Sequence, residues 1–185
     1  MSFHKFKADF LFTGTQMLSS NNVLICNNKG VVLDITDEKE AGDDIQKLNG
    51  ILTPGFINCH CHLELSHMRG LIREKTGLVD FVFAVVTQRH FPEEEIFEAI
   101  AVAESEMVQN GIVAVGDICN NLLTIRQKLK HNLHYYNFVE SSGWLPNIAG
   151  QRFGKSKKYF HEYSKYFPTS MVPHAPYSVS RLYGI

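Results

Sequence analysis

The chain lacks most of the features that would narrow its class at once. No excess of one charge is present: 18 Lys and Arg stand against 19 Asp and Glu, a formal net charge of -1. No global basic field is therefore available to draw in nucleic acid. The one basic cluster, Lys155, Lys157 and Lys158, reads as a solvated helix face. No apolar run approaches a membrane span, and the opening MSFHKFKADFLFTG has no apolar core of signal-peptide length. Cysteine is scarce, four residues in all, two of them one residue apart in a strand-like run. That spacing is no disulfide framework, so reduced thiols and a cytoplasmic location are expected. There is no sequence repeat and no low-complexity segment.

What is present is ordinary globular composition, 44% hydrophobic and 20% charged over 185 residues. Residues 8–14, 21–28 and 30–35 are apolar, β-branched runs that read as short strands. Asn27-Asn28-Lys29-Gly30 is the turn between the last two. Residues 36–44 form a charged loop. At Leu52 the character changes to alternation. ILTPGFINCH (51–60) reads as one continuous apolar strand. Residues 77–90 have helical spacing, with Leu78, Phe81, Val82 and Val85 on one face. Residues 93–109 are the clearest helix: three glutamates open it, Ile96, Ile100, Ala103 and Met107 form its stripe, and Asn110-Gly111 closes it. IVAVGDIC (112–119) is a strand, residues 121–131 a short helix, LHYYNFVES (133–141) a third strand. A polar helix follows over about 155–166, then a fourth strand that Pro173 ends near Val172. Near-continuous apolar strands alternating with helices predict a parallel sheet covered by helices.

The stretch PGFINCHCHLELS (54–66) carries the chemistry. Side chains at i and i+2 of a strand share a face, so His60 and His62 aim the same way, roughly 6.5–7 Å apart at Cα. Two imidazoles so placed can ligate one zinc ion. Cys59 and Cys61 then point to the opposite face, as small apolar packing residues. A zinc finger would need a second ligand pair, and Cys26 and Cys119 are lone. The bland alternative is a pair of hydrogen-bonded core histidines. The position favours ligands, because sites in parallel α/β folds are built at the C-terminal ends of strands.

ILTPGFINCHCHLELSHMRG (51–70) resembles the first-strand signature of the amidohydrolase superfamily, metal-dependent hydrolases on a TIM-like barrel. VPHAPYSVS (172–180) resembles a second signature, that of the branch holding nucleoside deaminases and triazine chlorohydrolases. HLELS followed by GLVDFVFAVVTQR is similar to deaminases of aminodeoxyfutalosine. The resemblance implies an α/β fold with two parts: a partial β-sandwich over 1–51 and the first half of a TIM-like (β/α)8 barrel over 52–185. It implies that His60 and His62 ligate the metal and that His174 binds substrate. The bland reading of His174 is a residue fixing the Pro173–Pro176 loop. No lysine lies between Ser170 and Ile185 to bridge two ions, so a single divalent ion, zinc or iron, is implied.

Other polar residues at strand ends carry weaker expectations. Glu64 either faces the site mouth or anchors a loop, the latter favoured, and Asp117 and Glu140 either contact substrate or buttress a neighbouring loop, the buttress favoured. His67 and Arg69 read as exposed. Trp144 lines a pocket or packs. His90, His131, His134 and His161 read as surface or helix-end residues.

A TIM barrel of about 250 residues leaves room here for about four βα units, the fourth helix beginning at SVSRLYGI. The family's later site residues have no counterpart: a histidine of strand five with its glutamate, a histidine of strand six and an aspartate of strand eight. No catalytic residue is therefore expected within the chain, which reads as the inactive N-terminal part of a metal-dependent aminohydrolase of an amino-substituted heterocycle or nucleoside. A chlorohydrolase or other amidohydrolase of the same fold, and a truncated non-catalytic product, stay open. The expected partners are a small-molecule substrate and a second copy or the missing half, with no nucleic acid and no membrane.

Overall fold

The structure, a computed structural model, describes residues 3–180. It divides into two compact units between Gly55 and Phe56. The sequence places that division at 51/52. It falls later because Ile51–Leu52 still pairs with a strand of the first unit.

The first unit is all strand: β1 (Phe3–Lys7), β2 (Phe10–Phe12), β3 (Met17–Leu18), β4 (Asn22–Asn27), β5 (Val32–Asp37), β6 (Ile45–Lys47) and β7 (Ile51–Leu52). They form a sheet in the order β5-β4-β1-β6 and a smaller one in the order β3-β2-β7. The β4–β5 turn is where the sequence puts it. Asn27 Oδ1 accepts from the backbone of Lys29 and Val31 at 2.9 and 3.0 Å, and Gly30 takes φ +76°. Ala8, Leu11, Val23, Cys26 and Ala41 are buried. Three elements escape the sequence reading. β1 is half polar, and β3 and β6 are too short to show a period.

The second unit opens with β8 (Phe56–Cys61), a 3-10 turn (Leu63–Met68), α1 (Leu78–Gln88) and α2 (Glu93–Gln109). Then follow β9 (Ile112–Cys119), α3 (Ile125–Lys128), β10 (His134–Ser141), α4 (Pro146–Ser164) and β11 (Thr169–Pro173). The four strands make one parallel sheet in the order β11-β10-β9-β8. This is the parallel sheet expected from the alternation, and its strand order is that of the first part of a βα barrel, as the resemblance implies. The expected strand over 51–60 is interrupted, because Thr53, Pro54 and Gly55 separate β7 from β8. The expected fourth helix falls largely outside the described residues.

α2 shows why the sheet is covered on one face. Ile96 and Ile100 are buried against Leu63, Val115, Leu133 and Tyr135, with Ala103 and Met107 packed alongside. Each buried isoleucine contributes about 1.5–3 kcal/mol. The helix ends at Asn110, and Gly111 takes φ +77° to turn the chain into β9. Gly111 then accepts from Phe56 N at 2.8 Å, which fixes the start of β8. A second cluster, Cys119, Val139 and Tyr163, seats α4. α4 starts nine residues before its expected start at 155, with Pro146 in its first turn. Gly150 and Gly154 had hidden its first half. α1 differs from both: none of its described residues is buried.

Candidate metal centre and its rim

β10 alternates cleanly. Tyr135, Asn137, Val139 and Ser141 are buried under the helices, and Tyr136, Phe138 and Glu140 face the other way. β9 follows the same rule, with Val115, Asp117 and Cys119 on the helix side. β8 does not. Asn58 pairs with Val115 and Cys61 with Asp117, so Cys59 and His60 together stand opposite Gly116. This is a β-bulge, uncommon between parallel strands. Gly116 admits it. A Cβ there would lie 2.8 Å from the Cys59 carbonyl oxygen and 3.2 Å from Phe138 Cε2.

The bulge corrects the simple i, i+2 argument. Cys59 and Cys61 do not share a face. Cys61 packs into the α2 core, whereas Cys59 is exposed beside Ala114, Gly116, Tyr136 and Phe138. His60 lies in the bulge and His62 just past the strand end. Their rings nevertheless meet, with centroids 5.2 Å apart at 68°. Two imidazoles bound to one zinc at tetrahedral angles would have centroids roughly 5 Å apart. Burial lowers the pKa of His62, partly offset by Glu140, and so favours the neutral ring that ligates. Its Nδ1 is buried without a hydrogen-bond partner. These features suit a divalent ion, although only two side chains of a ligand set are supplied. Among the described residues no three His, Cys, Asp or Glu side chains form a group able to hold one.

His174 stands one residue past β11. Its backbone N–H donates to Ser141 O at 3.0 Å, and its Nδ1 lies 2.7 Å from Glu140 Oε1. Asn120 Nδ2 donates to Glu140 Oε2 at 2.9 Å. Glu140 thus both buttresses a loop and faces the site. Glu64 is 1% exposed and anchors the loop after β9, accepting from Asn120 N and Asn121 N at 2.9 and 3.0 Å and from Arg89 at 3.5 Å. Burial pushes its carboxyl up to about 7 against those hydrogen bonds. Around this rim opens a cleft of about 780 Å³, bounded by Glu64, Arg89, Asn120, Glu140, Arg152 and Lys155.

Asp117 is a buttress, as read. Its Oδ1 accepts from Leu63 N at 2.9 Å, fixing the turn after β8, and its Oδ2 takes Lys128 Nζ at 2.5 Å. Lys128 is fully buried. It also donates to Asn137 Oδ1 at 2.6 Å and sits between the rings of Tyr135 and Tyr163, 5.0 and 4.9 Å from their centroids. Nothing in the sequence signals it, because a lysine in a polar helical stretch reads as surface. Asn120 and Asn137 were missed as well, though an Asn-Asn pair directly after a strand is a detectable sign.

The remaining expectations sort simply. Arg69 is exposed and paired with Glu106. His67 is not exposed: Nε2 bonds Arg89 O at 3.0 Å and the ring packs on Phe91. Trp144 is 66% exposed. His90, His131, His134, His161, Lys155, Lys157 and Lys158 are on the surface.

A parallel sheet with paired imidazoles at the C-terminal end of its first strand is an α/β arrangement with its candidate site at the strand ends. The chain belongs to the amidohydrolase family, whose profile matches residues 51–179. It is 26% identical over 189 residues to an adenosine deaminase of Helicobacter pylori, covering 90% of this chain and 45% of that protein. It is also 26% identical to a 5-methylthioadenosine/S-adenosylhomocysteine deaminase of Lawsonia intracellularis, over 58% of this chain and 24% of the relative. Among solved structures it resembles Helicobacter pylori aminofutalosine deaminase in complex with methylthio-coformycin, with TM-score 0.72 and 21% identity over 95% of this chain and 45% of that one. An atrazine chlorohydrolase from Arthrobacter aurescens complexed with zinc gives TM-score 0.74 at 14% identity, over 96% and 48%. At those identities the two structures bear on fold alone. The chain spans less than half the length of these relatives.

Proposed function

We propose that the chain carries the metal-ligating first strand and the substrate-facing fourth strand of an aminohydrolase acting on an amino-substituted heterocycle or nucleoside. The observation that carries this reading is the His60–His62 pair, 5.2 Å apart at a strand end, in a chain of the amidohydrolase family. His60 and His62 hold one divalent ion, zinc or iron. When bound, the ion supplies the acidity that makes water a nucleophile near neutral pH. The burial of His62 keeps its ring in the ligating form. His174 contacts the substrate from the end of β11. Water adds at the amino-bearing ring carbon, one of its protons passes to the amino nitrogen, the C–N bond breaks, and ammonia leaves with the oxygen kept on the ring. The deaminase names of the curated relatives favour ammonia over chloride as the leaving group.

Among the described residues the pair has no third ligating side chain, and a catalytic zinc normally takes three, so we expect no turnover from the 185-residue chain by itself. Free thiols at all four cysteines accord with the cytoplasm. β8 and β11 are the open edges of the parallel sheet, and we expect them to pair with a second copy or with the rest of a longer polypeptide. A monomeric chain by light scattering rejects the first of these.

The deciding experiment measures ammonia from adenosine, methylthioadenosine, guanine, cytosine and aminodeoxyfutalosine, with zinc or iron added. A longer protein containing this sequence is expected to release ammonia from one of them, and the isolated chain from none. Turnover by the mass-verified chain, or chloride release from a triazine with no ammonia from the panel, overturns the reading.

A further inference from the structure

The ends of all four parallel strands are tied together by one chain of hydrogen bonds, and its last link is the ring of His174. Glu64, past the end of β8, accepts from the backbone of Asn120 and Asn121, past the end of β9. Asn120 Nδ2 donates to Glu140 Oε2 near the end of β10 at 2.9 Å. Glu140 Oε1 lies 2.7 Å from His174 Nδ1, past the end of β11. Each oxygen of Glu140 therefore has its own partner, and the carboxylate is braced from two sides. Glu140 is 13% exposed and the His174 ring 45%, so the brace is hidden while the ring it holds is open to a ligand.

We propose that Glu140, braced by Asn120, is a positioning residue that holds His174 with the proton on Nδ1 and offers Nε2 to the ligand. An ionised carboxylate can only accept, so the hydrogen between Glu140 and the ring belongs to Nδ1. Which nitrogen of a neutral imidazole carries the proton is set by the bond the other one makes. With Nδ1 committed, Nε2 of the neutral ring presents a lone pair. It accepts from an N–H or O–H of the bound molecule, and it does not donate to a ring nitrogen or carbonyl. Asn120 keeps Glu140 from swinging toward the cleft, and Glu64 in turn holds the Asn120 backbone. The identity of the ligand rests on the aminohydrolase reading; the tautomer belongs to this chain alone.

The test is nitrogen-15 NMR of the histidine rings in the 185-residue chain at about pH 9, where an ordinary imidazole is neutral. In the unaltered chain the two-bond couplings of His174 are expected to show Nε2 as the unprotonated nitrogen in most molecules. Glu140→Ala is expected to lose that preference and give the mixture of a free imidazole. If that variant does not fold, Glu140→Gln serves. Its amide offers one acceptor oxygen to two donors, and the Nδ1–H share is expected to fall below that of the unaltered chain. A His174 protonated on Nε2 in the unaltered chain, or a tautomer indifferent to both substitutions, overturns the proposal. Ammonia release plays no part in this measurement, so the aminohydrolase reading can fail while the positioning stands, and the reverse.

Discussion

The two faces of the parallel sheet are built on opposite terms. Toward the helices, Val115, Asp117, Cys119, Tyr135, Asn137 and Val139 are all under a tenth exposed, and even the charged Lys128 is sealed among them. Toward the other side stand Ile57 at 64%, the exposed thiol of Cys59, and Tyr136 at 43%. One face is closed and holds the fold. The other is open, and its C-terminal end carries His60, His62, Glu140 and His174. The same strands serve both, because alternation sends neighbouring residues to opposite duties.

If that division is right, the largest stability effect comes from the closed face. Lys128→Ala leaves Asp117 buried without its cation, and urea unfolding is expected to show a loss of about 3–5 kcal/mol. A loss under about 1 kcal/mol would show that water reaches Asp117 and that the face is not sealed. Gly116→Ala tests the seam between the faces. The new methyl group meets the Cys59 carbonyl, so about 1–3 kcal/mol is expected to go, together with the ring contact of His60 and His62. Unchanged stability and unchanged histidine NMR shifts would mean that the bulge does not depend on Gly116.

On the open face the expected stability effects are small and the functional ones large. His60→Ala should leave stability within about 0.5 kcal/mol, since the residue is exposed. The same change should weaken zinc binding by calorimetry at least about tenfold, because one of two ligands is gone. Equal affinity in the variant would remove His60 from the metal site. The mildest probe is thiol labelling at about pH 8. Burial pushes the Cys61 and Cys119 thiols up to about 12, so neither has appreciable thiolate there. Cys26 is buried. Mass spectrometry should find one adduct on the folded chain, at Cys59, and four after unfolding. Rapid modification of Cys119 in the folded chain contradicts the closed face.

What could be read from the sequence followed from period. The stripe on α2 and the apolar runs of β9 and β10 state their burial residue by residue, and the parallel sheet follows. The His60–His62 pair was legible too, but for an incomplete reason: alternation alone puts them together, whereas the structure reaches the same contact through a bulge. A bulge leaves no periodic mark, and Gly116, which admits it, sits on another strand. Lys128 was illegible because the sequence shows a charge and not the Asp117, Asn137 and two tyrosine rings that surround it. The rim from Glu64 to His174 was only half visible. The residues joined by its hydrogen bonds lie 20 to 57 positions apart in the chain, and no local pattern joins them.

Asp117 also carries information about time. One of its oxygens is claimed by Lys128, 11 residues away, and the other by the backbone of Leu63, 54 residues away. Closing the longer loop costs roughly 1.4 kcal/mol more entropy by the logarithmic scaling of loop closure. We predict that the Lys128 contact forms first and that β8 docks onto a strand whose carboxylate is already oriented. A conservative substitution at Lys128 should then slow folding, and Leu63→Ala should mainly hasten unfolding. A chevron with the two effects exchanged would put β8 in the folding nucleus instead. On this account the strand that bears the histidines is the last of its neighbours to be secured, and it is seated by a residue that was waiting for it.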